Sequence, residues 1–184
     1  MKHLKLTEVI VFEYLKNIYS TIVYRDIINR YAIRNVPFLE QQVLFLAGNV
    51  GSLFSAKKIS DFLKSQKVNI APNQVQTYIQ YLVNAFLVHK VQRYDIIGKR
   101  IFEFGEKYYF ENLGIRHGLW GYRPEDRGKV IENTVYNQLL FKGYGVKVGV
   151  PGNAEIDLVV TLDDFQGNTF KGIKHTNLRS FLME

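Results

Sequence analysis

Cysteine is absent from this 184-residue chain, which excludes disulfide staples and thiolate metal sites and fits a reducing compartment. No run of about 18 or more apolar residues occurs, so no membrane segment is expected. Met1 to Leu6 lacks the apolar core of a secretory signal, and a cytoplasmic location is the expectation. No Gly-x-x-x-x-Gly-Lys-Ser/Thr loop exists to cradle a nucleotide triphosphate with its magnesium, so the chain should not be an ATPase. His3, His89, His117 and His175 are scattered, none at metal-ligand spacing to another, and no serine sits in a nucleophile-elbow pattern. Internal repeats and low-complexity tracts are also missing.

What is present is an interior and a positive charge. At 47% hydrophobic and 14% aromatic residues, the chain can pack one substantial domain or two small ones. The net charge of +7 favours an anionic partner, nucleic acid first and an acidic protein surface next. The basic residues are spread along the chain, so charge supplies attraction without specificity.

Ser55 to Phe104 reads as a helix, a turn, a second helix and a basic hairpin, the order of a winged helix-turn-helix. Ser55 is a natural N-cap for Ala56 to Gln66, whose Ile59, Phe62 and Leu63 share a face. Asn69 and Pro72 bound the turn. The second helix sets Val75, Tyr78, Ile79, Leu82, Val83, Phe86 and Leu87 at helical spacing toward a core. Its other face offers Asn73, Gln74, Gln76, Thr77, Gln80 and Asn84, side chains that donate and accept at base edges or phosphates. The hairpin runs from Val88 to Tyr94, turns at Asp95 to Gly98, and returns from Lys99 to Phe104. Its Lys90, Arg93, Lys99 and Arg100 make it a basic wing. Expected DNA-binding residues are therefore Gln74, Gln76, Thr77, Gln80, Lys90, Arg93, Lys99 and Arg100.

Upstream, Thr7 to Tyr31 has the pattern of one long amphipathic helix or two shorter ones, with Phe12, Leu15, Tyr19, Ile22, Val23 and Ile28 inward. Asn35 and Pro37 break it, and Phe38 to Ala47 forms a helix ended by Gly48 and Gly51. Downstream, Glu106 to Arg127 lacks a sustained period and reads as a connector anchored on a core by Trp120. Gly128 opens a helix with Val130, Ile131, Val135, Leu139 and Tyr136 buried. Tyr144 to Val150 and Ala154 to Thr161 read as strands joined by a turn at Pro151 to Asn153. Asp163 to Asn168 is a loop, and Thr176 or Asn177 caps a short terminal helix. The organisation is thus 1–37 helical, 38–105 winged helix, 106–127 connector and 128–184 a small α/β unit.

Glu132 on the helix and Glu155 and Asp157 on the second strand are the carboxylates that could converge on a divalent metal. The plainer alternative is that they balance Lys129, Lys142 and Lys147 at the surface.

Gly128-Lys-Val-Ile-Glu-Asn-Thr-Val-Tyr-Asn-Gln-Leu-Leu-Phe-Lys-Gly-Tyr, followed by Glu155-Ile-Asp-Leu-Val-Val, resembles the C-terminal region of bacterial and archaeal AAA-type ATPases. The resemblance extends upstream through Lys107-Tyr-Tyr-Phe-Glu-Asn-Leu-Gly-Ile-Arg and the winged segment to Tyr14-Leu-Lys and Arg25-Asp-Ile-Ile. In that group a P-loop module precedes a winged helix and a domain of unknown function similar to PD-(D/E)XK nucleases. The resemblance implies Glu132 as the nuclease helix acid and Asp157 as the strand acid. Two departures stand out: the P-loop is missing, and no acid or Gln stands two residues before a Lys on a strand soon after Asp157. The fold class expected is α+β, a winged helix followed by an incomplete nuclease-like α/β domain. The expected role is binding of DNA, a protein partner or an ATPase module, with no cofactor. A homodimer through the open edge of the C-terminal strands is a further expectation. The alternative is a metal-dependent nuclease, using magnesium, whose lysine has moved to Lys171 or Lys174.

Overall fold

The computed structural model describes residues 8–95, 100–149, 158–161, 169–170 and 173–183. Helix α1 (Glu8–Thr21) runs without a break into a π-helical segment, Ile22–Asn29. The spacing of the inward residues explains the change of winding. Leu15, Tyr19, Val23 and Ile27 recur at every fourth position, a stripe that an α-helix of about 3.6 residues per turn would rotate steadily off the core. The wider turn of a π-helix rotates it back, and Val23 and Ile27 are fully buried. The expected inward set is corrected at two places: Phe12 is 46% exposed, and Ile27 rather than the half-buried Ile28 takes the core position.

Helix α2 (Val36–Gly48) starts on Asn35, whose Oδ1 accepts from the Phe38 N–H at 3.2 Å, with Pro37 in the first turn where a missing N–H costs nothing. Helix α3 (Ala56–Ser65) is capped as expected by Ser55, whose Oγ accepts from the Lys58 N–H at 3.3 Å. Helix α4 (Pro72–Asn84) buries Val75, Tyr78, Ile79 and Leu82. Gln42, buried on α2, ties the two helices by donating to the Val75 carbonyl at 2.9 Å. Phe62 and Phe86, expected inward, are 46% and 72% exposed. For Phe86 the cause is backbone: α4 has ended, and a φ of +53° at this residue swings the chain into the next strand.

Strands β1 (Val88–Asp95) and β2 (Arg100–Phe110) form the antiparallel hairpin. Their register shifts between Gln92, opposite Glu106, and Arg93, opposite Phe102, and Gly105 in the bulged segment has a φ of +85°. Strand β2 therefore runs past Phe104 to Phe110, burying Tyr108, Tyr109 and Phe110.

The segment read as a connector contains structure of its own: the end of β2, helix α5 (Leu113–Trp120) and a short 3-10 turn at Pro124–Asp126. Helix α6 (Arg127–Phe141) follows. Its fully buried position is polar. Asn133 accepts from the Phe110 N–H at 2.8 Å and donates to the Phe110 carbonyl at 2.9 Å, while Asn137 donates to the Phe110 and Glu111 carbonyls at 3.0 Å each. Two amides thus satisfy the backbone where β2 ends. Tyr136 is buried beside them, but Val130, Ile131, Val135 and Leu139 are half-buried, not core residues.

Strand β3 (Val148–Gly149) pairs in parallel with β1, a partner the sequence pattern did not give it, and adds a third strand to the first sheet, in the order β2-β1-β3. Strands β4 (Leu158–Thr161), β5 (Thr169–Phe170) and β6 (Ile173–Asn177) make a second sheet of order β4-β6-β5, with β4 and β6 parallel. The expected turn at Pro151 to Asn153, and Glu155 and Asp157, lie outside the described residues. Helix α7 (Leu178–Met183) is capped as expected, Asn177 Oδ1 accepting from the Arg179 N–H at 2.8 Å. The class is α+β.

Trp120 closes the fold against Gly48, the last residue of α2. A Cβ on Gly48 would stand 2.6 Å from Trp120 Cζ2, and Arg123 covers the indole with its guanidinium 4.8 Å from the ring centroid. The rigid ring cannot give way cheaply. Gly48→Ala should therefore destabilise the fold by about 1–3 kcal/mol despite the better helix propensity of alanine. A urea midpoint unchanged from the parent would place Trp120 elsewhere in solution.

Candidate nucleic-acid interface

Helix α4 has no charged side chain along its length. With Val75, Tyr78, Ile79 and Leu82 buried, helical geometry leaves Asn73, Gln76, Thr77, Gln80 and Asn84 on one outward stripe, and all of these are exposed. Gln74, also exposed, stands to one side of it. Part of the stripe is already ordered. Gln80 donates to Asn84 Oδ1 at 2.8 Å, Asn84 donates to the Tyr31 hydroxyl at 3.1 Å, and Thr77 donates back to the Asn73 carbonyl at 2.9 Å. Tyr31 is held in turn by stacking on Tyr81, with ring centroids 3.7 Å apart. Among the described residues, the side chains of Gln74 and Gln76 have no hydrogen-bond partner.

Sequence reasoning overlooked the lysines of the preceding helix. Lys57 and Lys58 occupy the first turn of α3, where the helix dipole disfavours cations, and both are exposed. Neither forms an ion pair among the described residues. Lys64 and Lys67 are exposed at the other end, with Lys67 in the turn before α4 at a φ of +63°. A cation-at-N-terminus rule broken without an internal partner was the available signal.

The wing residues divide. Lys90 is held by Glu106, Nζ to Oε1 2.5 Å, across the hairpin. Arg93 and Arg100 lie on the paired strands opposite Phe102 and Asp95. Lys99 lies outside the described residues.

Of the expected metal acids, Glu132 lies within the described residues and Glu155 and Asp157 lie outside them. Glu132 Oε1 accepts from Lys107 Nζ at 2.5 Å and from the Tyr109 hydroxyl at 2.6 Å. Its counter-ion is thus Lys107 of β2, not Lys129, Lys142 or Lys147. Its Oε2 lies 3.1 Å from where a Cβ on Gly51 would stand, and Gly51 has a φ of +70°. Tyr109 stacks on Tyr136, with centroids 4.3 Å apart. Burial, then the hydrogen bond and negative charge of Glu132, hold the Tyr109 phenol far above its ordinary range. Burial and Glu111 push Tyr136 up to about 12. These side chains, with Val146, Lys147 and Val148, line a cavity of about 350 Å³. Among the described residues, no group of three His, Asp or Glu side chains is placed to hold a metal ion.

A second polar centre was missed entirely. Arg116 is fully buried on α5, donating through Nε to the Ala47 carbonyl at 2.9 Å, through one terminal nitrogen to the Gly121 carbonyl at 3.3 Å, and through the other to Asp126. Lys129 reaches Asp126 at 3.4 Å and the Gly48 carbonyl at 3.2 Å. The C-terminal carbonyls of α2 are therefore met by two cations.

The model of a family described as a domain of unknown function (DUF8612) matches residues 5–126, and the chain belongs to that family. It is 35% identical over 150 residues to an uncharacterized protein of Haemophilus influenzae, a match covering 82% of this chain and 38% of that protein. It is 26% identical over 135 residues to an uncharacterized protein of Methanocaldococcus jannaschii, covering 72% of this chain and 29% of that one. The chain thus spans well under half the length of these curated relatives. No solved structure matches the chain. None of the described helices is long and apolar enough to cross a membrane.

Proposed function

We propose that residues 36–110 are a winged helix-turn-helix that binds duplex DNA, with α4 as the reading helix, the β1–β2 hairpin as the wing and α3 as the phosphate-contacting helix. The observation that carries this is the uncharged, exposed amide and hydroxyl stripe of α4, together with first-turn lysines on the neighbouring α3 that form no ion pair among the described residues. Neutral amides suit base edges, and exposed lysines held in no ion pair suit phosphates. The backbone bridge from Phe54 to Glu106, with N–H to carbonyl distances of 3.2 and 3.0 Å, adds support by tying the start of α3 to the wing strand. The resemblance to AAA-type ATPase C-terminal regions extends the proposal: the chain acts as such a region, working with an ATPase module or with another protein. Its span of 38% and 29% of the relatives' lengths fits a part of a larger architecture.

Glu132 does not favour the nuclease alternative. To hold magnesium through Oε1 it would have to give up both Lys107 and Tyr109. Fluorescence anisotropy with the duplex selected from a random pool tests the DNA proposal. The double variant Gln76→Ala, Gln80→Ala should bind that duplex roughly tenfold or more weakly, because each lost base contact costs about 1–3 kcal/mol. It should fold as before, since both residues are exposed. Equal affinity of parent and variant would remove α4 as the reading element.

A further inference from the structure

The hydrogen bonds of the α4 stripe run off the helix into the N-terminal helical segment. Gln80 Nε2 donates to Asn84 Oδ1 at 2.8 Å, and Asn84 Nδ2 donates to the Tyr31 hydroxyl at 3.1 Å. Tyr31 is itself held in place. Its ring lies 8° from parallel to that of Tyr81 with centroids 3.7 Å apart, and the Arg30 guanidinium sits over it, 5.6 Å from the centroid. Tyr81 in turn stacks on the buried Tyr78 at 6.0 Å, and Tyr78 packs at 5.0 Å on the buried Phe38 of α2. An exposed amide of α4 is thus anchored to the core through a residue far away in the chain.

We infer that Tyr31, acting through Asn84, holds the Gln80 amide in the orientation that reads adenine, so that α4 demands an A·T pair at the position Gln80 faces. The inference rests on the reading of α4 as a DNA-contacting helix. Asn84 takes one N–H of Gln80, which leaves Gln80 Oε1 and the second N–H for a base. These are one acceptor and one donor, the complement of adenine N6–H and N7. Guanine offers two acceptors on that edge, O6 and N7, so the Gln80 carbonyl oxygen would face O6 with no proton between them. An amide turned over would present two N–H groups and suit guanine instead. Gln76, one turn earlier on the same stripe, has no side-chain partner among the described residues and can turn either edge to its base. Ordering Gln80 before contact also removes the rotamer entropy that a free glutamine loses on binding. Tyr31 and Asn84 are therefore positioning residues, and the helical segment before α2 takes part in setting sequence preference.

Selection from a random duplex pool, followed by fluorescence anisotropy with all four base pairs at each selected position, tests this. The position read by Gln80 is the one whose preference Gln80→Ala erases. There the parent should prefer A·T by roughly tenfold or more, as one bidentate contact allows. Tyr31→Phe keeps the ring stack and removes the hydroxyl, and it should cut that preference roughly fivefold, the worth of one hydrogen bond. It should leave the preference at the Gln76 position as it is, which a general loosening of the fold would not. Asn84→Asp separates orientation from simple bracing. A carboxylate accepts from both Gln80 Nε2 and the Tyr31 hydroxyl, so the A·T preference should survive while the added charge weakens binding to every duplex alike. A parent that binds no duplex removes the DNA reading and this inference with it. A parent that binds duplex but prefers G·C at the Gln80 position overturns the inference alone. So does a preference that Gln80→Ala or Tyr31→Phe leaves intact, or one that Asn84→Asp abolishes.

Discussion

Asp126→Ala should destabilise the fold by about 3–5 kcal/mol, a large part of the margin on which a domain of this size stands. The expectation comes from what is left behind. Arg116 has no exposed surface, and its guanidinium cannot shed its proton. Two carbonyl acceptors, Ala47 and Gly121, would remain, but these neutral dipoles do not replace a carboxylate that is itself only 8% exposed. Lys129 would lose its acidic partner as well. The loss should be cooperative because the centre fastens α2, α5 and the start of α6 together. Equilibrium urea unfolding measures it. The companion double variant Arg116→Met, Asp126→Leu should recover most of the stability, because removing both charges removes the desolvation penalty as well as the pair. A loss below about 1 kcal/mol in Asp126→Ala would mean that the carbonyls alone satisfy the guanidinium.

The same pair sets an acid limit. Burial by itself would raise the Asp126 carboxyl, but the hydrogen bond and charge of Arg116, with Lys129, outweigh it and hold the group below its ordinary value near 3.8. A carboxyl whose pKa is lower folded than unfolded contributes its full stabilisation above the unfolded value. That contribution is lost as pH falls through the folded value. The stability of the parent should thus fall on acidification below about pH 4, and Asp126→Asn should show a shallower slope there.

What the sequence made legible follows from how its signals work. Apolar periodicity located α2, α3, α4 and the hairpin, because their buried side chains are mostly apolar and at regular spacing, and it located α6 although the apolar residues there are only half-buried. Capping chemistry located Ser55 and the terminal Asn177. The same method passed over Asn133 and Asn137, since an amide is ordinarily solvated, yet here amides close the backbone at the end of β2. Arg116 was passed over for the same reason: only the fold shows that Ala47, Gly121 and Asp126 converge on it. The π-helical winding was written in the four-residue spacing from Leu15 to Ile27, but a tolerance for either helix type hides a drift of that size. The pairing of β3 with β1 depends on contacts across more than fifty residues, which local pattern does not reach. Of the candidate interface, the stripe on α4 was readable and the α3 lysines were not, because a cation in a first turn is informative only once it is known to form no ion pair.

Duplex binding should weaken with salt at a log-log slope of roughly −2 to −4, a loss of roughly 16- to 250-fold between 50 and 200 mM, if a few phosphates are neutralised. The geometry apportions that slope. Lys57 and Lys58 are exposed and form no ion pair among the described residues, so each should release about one counterion on binding, and Lys57→Ser with Lys58→Ser should lower the slope by roughly 2 in magnitude. Lys90→Ser should alter it little, because its amine is already neutralised by Glu106 at 2.5 Å and gains little by exchanging that partner for a phosphate. Replacing Lys90, Arg93, Lys99 and Arg100 together with serine should flatten the slope if the hairpin enters the groove as a wing. Lys16→Ser, on an exposed position of α1, serves as the control for charge alone: it changes the net charge by one unit and should leave the slope in place. Equal losses from every lysine, Lys16 included, would mean attraction by net charge without a docked orientation. A slope unmoved by both the α3 pair and the wing set would place the DNA on another face of the molecule. Only a fall confined to the α3 lysines and the hairpin arginines fits α4 seated between them.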